Sequence, residues 1–364
     1  LNDTYESPAV EKVPFEMGFS HLPVMAEVAV TYRCNAACIF CYAGCNCTTN
    51  PINNETEMTL EEVREVLRKI RIEAQVPSVS FTGGEATLRP DLPEMVAAAR
   101  SLGMRVNLIT NGTRCNARLV QQLVEAGLHS AQVSLEGTTA EVHEAITRIR
   151  GSHRRAMQGV HHFREAGIVV HTNTTITQTN LHDAVRFPAF VKHTLGLDTF
   201  SMNLVIPTGT ASLHDAITVR YDQIAETLTE ILAESQRQGV AFKWYSPTPM
   251  CLFNPILHGL GNKGCAACDG LLSVGADGQV LPCASYDQPV GDLLQSSFSE
   301  IWNGPKATAF RQKDFAHDIC KACEQFSICN GACPLYWRQC GYDELFQAHR
   351  STSADPDPYE KGVV

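Results

Sequence analysis

Residues 34–47 read CNAACIFCYAGCNC, five cysteines in fourteen positions, directly after the run EVAVTY at residues 27–32. The alternating apolar residues of that run predict a β-strand, so the sulfur follows its C-terminal end. Cys34-x3-Cys38-x2-Cys41 places three thiolates in a short loop. Three sulfurs can hold three corners of a four-iron cube and leave one iron open to another ligand. Zinc would also accept three cysteines, with Cys45 or Cys47 completing a closed site, so the spacing alone leaves the metal open.

Downstream, strand and helix signals alternate. Further strands are predicted over residues 78–82 (SVSFT), 105–110, 131–136, 169–176 and 200–206. Helices are predicted over 58–70, 92–102, 117–126, 154–166, 184–194 and 221–234. In the first of these, MTLEEVREVLRKI, Leu60, Val63, Val66, Leu67 and Ile70 share one face, and Thr59 with Glu62 has the pattern of a capping box. Gly103, Gly127 and Gly167 stand where helices end. Six strands, each followed by a helix, predict a parallel α/β architecture, either doubly wound or a partial barrel. Ligands gather at the C-terminal strand ends in both cases. Cys34, Gly83-Gly84-Glu85, Asn111 and Glu136 follow or end the first four strands, and so share that face.

After about residue 240 the rhythm stops. LLSVGADGQVLPC, residues 271–283, predicts a hairpin turning at Asp277-Gly278, and cysteine-rich irregular chain follows. Four regions are expected: an extension over 1–24, an α/β body over 25–240, a small cysteine-rich domain over 241–345, and a loose polar tail over 346–364.

The whole chain narrows the class. Its 364 residues carry a net charge of −10 and no polybasic run, which argues against nucleic acid or an anionic membrane as partner. No membrane-length apolar run or signal-peptide pattern occurs, and a cytoplasmic location is expected. Of fifteen cysteines, five lie in 34–47, Cys115 stands alone and nine lie in 251–340. Disulfides would need an oxidising compartment, so two metal-binding regions are the better expectation.

CNAACIFCYAGC, with Tyr42 directly after the third cysteine, resembles the defining motif of the radical S-adenosylmethionine (SAM) superfamily. That resemblance implies a partial (β/α)6 TIM-like barrel and a [4Fe-4S] cluster on Cys34, Cys38 and Cys41 whose open iron chelates SAM. It also implies reductive cleavage of SAM to a 5′-deoxyadenosyl radical that abstracts hydrogen from substrate, with electrons from a reductant such as flavodoxin or ferredoxin. Thr82-Gly83-Gly84-Glu85 resembles the segment that holds the SAM amino group, its glycines allowing backbone to approach ligand and Glu85 accepting from an ammonium. ITNGT (109–113) and VSLEG (133–137) resemble the next SAM-contacting segments, which marks Asn111, Ser134 and Glu136. Arg150, with Arg148 an equal candidate, could offer a cation to the methionine carboxylate, and Asn173 is a weaker ligand candidate. Cys45 and Cys47 have no place in the motif.

The later spacing, Cys268-x9-Gly278-x4-Cys283 and then Cys320-x2-Cys323-x5-Cys329-x3-Cys333 with Cys340 beyond, resembles the SPASM signature of auxiliary-cluster domains. The resemblance implies two further [4Fe-4S] clusters. One would use Cys268, Cys283 and Cys333 plus Cys265 or, alternatively, Cys251. The other would use Cys320, Cys323, Cys329 and Cys340. A zinc ribbon built on Cys265/Cys268 and Cys320/Cys323 would strand four cysteines.

Substrate is less constrained. Ala284 follows Cys283, where sulfatase-maturing relatives carry an acidic base, so formylglycine chemistry is not expected. About 25 residues precede the first strand, too few for the leader-binding winged helix of many peptide-modifying relatives. FTGGEATLRPDL resembles the cofactor-making branch, departing at Ala86, and Ile206-Pro207-Thr208-Gly209 has a similar flavour. Peptide or protein maturation is the first expectation, synthesis of a small tetrapyrrole- or quinone-type cofactor the second, and a non-catalytic iron–sulfur electron carrier the third.

Overall fold

The computed structural model describes residues 22–45 and 57–353. Cys47, most of the N-terminal extension and residues 354–364 of the tail lie outside them. Ten strands form one sheet in the order β10-β9-β8-β1-β2-β3-β4-β5-β6-β7. They are β1 Met25–Ala29, β2 Ser78–Thr82, β3 Arg105–Thr110, β4 Ser130–Ser134, β5 Val169–Ile176, β6 Thr199–Leu204, β7 Ala241–Trp244, β8 Leu271–Val274, β9 Gln279–Leu281 and β10 Gly291–Asp292. Strands β1 to β7 run parallel, each paired with the next, and β8 runs parallel to β1 on its other side. The sheet ends at β7 and β10, so the barrel is open.

Most elements follow from local chemistry. In β2, Val79 and Phe81 are fully buried, as period-two alternation requires. Helix α1, Leu60–Arg68, buries Val63, Val66 and Leu67 behind an intact Thr59–Glu62 capping box. Helices α2 Leu92–Ser101, α3 Ala117–Glu125, α4 Ala140–Thr147 and α5 Ser152–Glu165 complete the outer layer beside β2 to β5. Gly103, Gly127 and Gly167 all take positive φ after their helices, as expected. The helix expected over 184–194 is instead broken into Leu181–Ala184, Phe187–Phe190 and a wide turn over Val191–Leu195. Pro188 has no N–H and opens a new helix rather than continuing the old one.

Two results change the expected plan. A seventh parallel strand, β7, pairs with β6 beyond residue 240. The hairpin β8–β9, turning at Asp277-Gly278, is not a separate layer but extends the same sheet through β1. The C-terminal helices also dock on the body. Tyr336 Oη accepts from Tyr221 N at 3.1 Å and donates to Glu344, which accepts from Asp222 N at 2.9 Å. Among the described residues no helix is long and apolar enough to cross a membrane.

The end of β1 sets the cysteine loop against β2. Beyond Ala29 the pairing continues: Val30 N donates to Thr82 O, Gly84 N to Thr31 O and Glu85 N to Arg33 O at 2.7–3.0 Å. A Cβ on Gly83, whose φ is +135°, would sit 2.1 Å from Thr31 O, and one on Gly84 would sit 2.3 Å from Arg33 O. The glycines therefore serve close contact between two backbones, a packing role that the sequence did not suggest. We expect Gly84→Ala to lower stability by about 3 kcal/mol or more in urea denaturation. Gly103→Ala, with nothing within 4 Å of its added Cβ, should cost only the roughly 1–3 kcal/mol of its left-handed φ. Equal losses at the two positions would refute the packing argument.

Candidate active site

Cys34, Cys38 and Cys41 line one cavity of about 140 Å³ at the C-terminal strand ends, walled also by Thr82, Gly83, Gly84, Asn111, Ser134 and Glu136. Several elements pin the loop. Ala37 N and Ile39 N donate to Thr147 O and Ile146 O at the end of α4, both at 3.0 Å, and Thr210 N donates to Cys41 O at 2.8 Å. Gly209, with φ +57°, passes so close that a Cβ would meet Tyr42 O at 2.3 Å. Burial pushes the Cys34 thiol up to about 11 and Cys38 well above its ordinary value. The Cys45 thiol, hydrogen-bonded to Cys41, draws Cys41 down to about 6. A metal would have to displace protons from the first two. No group of three His, Cys, Asp or Glu among the described residues has the geometry to hold a metal ion. A four-iron cube spreads its thiolates over separate irons, so the three sulfurs need not converge on one point.

The other expected residues divide. Asn111 and Ser134 reach the cavity. Glu85 is 1% exposed, and its carboxylate is engaged by Thr87 N, Thr87 Oγ1, Thr110 Oγ1 and Asn111 N at 2.5–3.1 Å. It ties the end of β2 to the end of β3, and a ligand ammonium would compete with four donors already in place. Arg150 is exposed and outside the cavity wall, as is Arg148. The chain turns away there because Arg148 ends α4 in the left-handed conformation. Among the described residues no arginine or lysine lines this cavity. Asn173 pairs with Asn203 at 2.7 Å and does not reach the wall either.

Glu136 does line the wall. It is buried, its Oε2 accepts from Thr175 N at 2.8 Å, and burial pushes its carboxyl up to about 8. His143 of α4 lies beside it, unsuspected from sequence. Its Nδ1 accepts from Glu136 N at 3.0 Å, and burial draws it down to about 3, so the ring is neutral with its proton on Nε2. Only the fold reveals this pair, because α4 returns over the end of β4. A second unsuspected residue is Arg89, buried at 7% exposure, which donates to Val30 O and Met58 O and pairs with Asp91. It braces the backbone from which the cysteine loop departs.

The later cysteines fall into two groups. Cys265 acts electrostatically on Cys268, Cys283 and Cys333, and Cys333 acts on Cys283 as well. Lys313 Nζ donates to Cys265 O at 2.8 Å and Arg311 to Cys268 O at 3.3 Å, setting two cations beside this pair of cysteines. Cys320, Cys323 and Cys329 line a different cavity together with Cys251. Asn330, Gly331 and Ala332 all have positive φ, and this reversal separates Cys329 from Cys333. The structure does not bring Cys340 to that second cavity. It ends the helix Pro334–Cys340 near Tyr336, Glu344 and Arg220.

Residues 28–186 match the radical SAM superfamily, and residues 265–324 match the iron–sulfur cluster-binding SPASM domain. The chain is a radical SAM enzyme with a C-terminal SPASM domain. Its domains are those that bind [4Fe-4S] clusters and SAM. Among curated relatives it is 27% identical to the AdoMet-dependent heme synthase of Oleidesulfovibrio alaskensis, over 83% of this chain and 80% of that one. It is 25% identical to the PqqA peptide cyclase of Bradyrhizobium diazoefficiens, over 86% and 81%. The solved structure of Streptococcus suis SuiB bound to precursor peptide SuiA shares the fold, with a TM-score of 0.72 and 18% identity over 86% of this chain and 72% of that one.

A larger cavity, about 460 Å³, opens between the radical SAM strands and the SPASM hairpin. It meets the cysteine cavity at Tyr42 and Ala43, which line both. Tyr32, Tyr286, Asp277, Asp287 and Arg338 are among its polar lining residues. Glu27 lies in a small recess between the two, beside Ala284, with its Oε1 accepting from Ser273 Oγ at 2.8 Å and its carboxyl raised by burial.

Glu136 makes a pH prediction. Between the ordinary 4.5 and about 8, the folded chain holds a proton that the unfolded chain has released. The group therefore erodes stability as pH rises through that window. In the cluster-free protein, Glu136→Gln should match wild type near pH 5 and exceed it by roughly 4–5 kcal/mol at pH 8.5. A stability difference that does not change with pH would sink the assignment.

Proposed function

We propose that this enzyme modifies a peptide or protein by hydrogen abstraction. The radical SAM portion would span residues 25–240 with β7 added, and the SPASM portion would run to about residue 345. Cys34, Cys38 and Cys41 would hold the SAM-binding cluster: three thiols in one walled loop suit a cube with an open iron. When bound and reduced, that cluster supplies cleavage of SAM to methionine and a 5′-deoxyadenosyl radical. The main chain of Thr82–Gly84 would meet the SAM amino group, while Glu85 holds that segment in place. Asn111 and Ser134 would meet the nucleoside. Glu136, protonated, would donate rather than accept a hydrogen bond.

Cys265, Cys268, Cys283 and Cys333 would hold an auxiliary cluster with all four irons thiolate-bound, whose chemistry is electron transfer. Arg311 and Lys313 would offset its charge. Glu27, placed between the two cavities, is the carboxyl best sited to take a proton from substrate. An external reductant such as flavodoxin or ferredoxin would supply electrons.

The observation that carries the substrate class is the charge of the larger cavity. Of its lining residues one is cationic, Arg338, and two are acidic, Asp277 and Asp287. A tetrapyrrole bearing several carboxylates would meet more repulsion than attraction there, whereas a peptide segment with neutral backbone and tyrosine-compatible side chains would not. Cofactor synthesis stands as the second reading because the heme synthase relative covers most of the chain.

The test is 5′-deoxyadenosine formation under anaerobic, reducing conditions, with wild type and a Cys34→Ala, Cys38→Ala, Cys41→Ala triple variant. Host extract is added as macromolecular and small-molecule fractions. Product made by wild type alone and stimulated at least tenfold by the macromolecular fraction is the expected result. Stimulation confined to the small-molecule fraction would favour cofactor synthesis. No product above the variant would overturn the proposal.

A further inference from the structure

Family resemblance implied Cys340 as the fourth member of the second group of SPASM cysteines, and the fold sets a different cysteine beside the other three. Cys251 follows β7 in the turn after Pro249, well before the SPASM signature begins. In the structure it shares a cavity of about 380 Å³ with Cys320, Cys323 and Cys329. Met250 N donates to Cys329 Sγ at 3.4 Å, which holds the Cys251 turn against the Cys320–Cys329 segment. Cys329 and Cys323 are the thiols that act electrostatically on Cys251, and Cys251 in turn acts on Cys320.

Cys340 has no such relation. The helix Pro334–Cys340 advances about 10 Å from Cys333, at 1.5 Å per residue, and carries Cys340 toward Tyr336, Glu344 and Arg220. The thiol on which it acts is Cys333, in the other group. Cys265, the competing claimant for the upstream place in the first group, is buried among Cys268, Cys283 and Cys333, which leaves Cys251 for the second.

We infer that Cys251, and not Cys340, is the fourth thiolate of a second auxiliary [4Fe-4S] cluster held by Cys320, Cys323 and Cys329. This rests on the proposed reading that the SPASM region holds two auxiliary clusters. Four thiolates close all four iron sites, so the cluster could pass electrons but not bind substrate. Cys251 is exposed, so this cluster would have an edge at the protein surface, where an external reductant can reach it.

The test uses the full chain carrying Cys34→Ala, Cys38→Ala and Cys41→Ala, so that only auxiliary clusters remain, reconstituted anaerobically. Two clusters give about eight irons per chain. Adding Cys251→Ala should lower this to about four and remove one component of the reduced electron paramagnetic resonance spectrum, as Cys320→Ala should. Adding Cys340→Ala should leave both unchanged. Iron loss with Cys340→Ala but not with Cys251→Ala would overturn the inference. If the parent itself holds about four irons or fewer and Cys320→Ala changes nothing, the two-cluster reading has failed, and the inference falls with it. A second readout avoids variants that misfold: iodoacetamide labelling of Cys251, followed by mass spectrometry. Labelling should be at least tenfold slower in the cluster-loaded chain than after chelator treatment. Equal rates in a chain that holds about eight irons would overturn the Cys251 assignment and leave the two-cluster reading intact.

Discussion

The structure depends on the contact between two backbones at one end of the sheet. Thr31 and Arg33 accept from Gly84 and Glu85 across a gap that no side chain can enter. Cys34 is the next residue along. Its position is therefore set by the sheet, and the loop to Cys41 inherits that position. Two buried charged residues reinforce the junction. Glu85 gathers donors from the ends of β2 and β3, and Arg89 binds the carbonyls of Val30 and Met58. Each charge is buried with its hydrogen-bonding capacity largely used, as a low-dielectric site requires.

That junction also explains why chemistry concentrates where it does. Parallel strands bring their C-terminal ends to one rim, and helices return over it. Cysteine thiols, the Glu136 carboxyl and the neutral His143 imidazole thereby share one small enclosed space. Burial acts on all of them in the same direction, toward the uncharged form.

The second cysteine region solves a different problem. Its sulfurs come from a stretch too short for a core of its own, and the fold anchors it twice. Strand β8 pairs with β1, and the Tyr336–Glu344 pair caps the helix that begins at Tyr221. Between Cys329 and Cys333 three successive residues adopt the left-handed conformation. Such backbone persists only where surrounding structure imposes it, and here it separates Cys329, which lines the cavity shared with Cys251, from the buried Cys333.

Much was legible in the chain itself. The alternation of β2, the capped amphipathic α1, the glycine stops and the hairpin turn at Asp277-Gly278 are local devices, and local physics reads them directly. Cysteine spacing within single loops, as in Cys34–Cys41 and Cys320–Cys329, was equally direct, because a short loop cannot separate its members far. The placements that the sequence did not foresee share one cause. Arg150 and Cys340 were expected from family resemblance, and a left-handed cap sets one outside the cysteine cavity while a helix sets the other apart from Cys320–Cys329. Glu85 was expected from resemblance to accept from an ammonium, and the groups that engage its carboxylate, Thr110 and Asn111, are remote in sequence. His143 beside Glu136 and Cys251 beside Cys320 went unnoticed for the same reason. By itself the sequence determined the elements and the sulfur-bearing loops, since these depend on near neighbours. Only the tertiary structure decided which loops face each other, because that choice follows from strand order and from how each connection packs back onto the sheet.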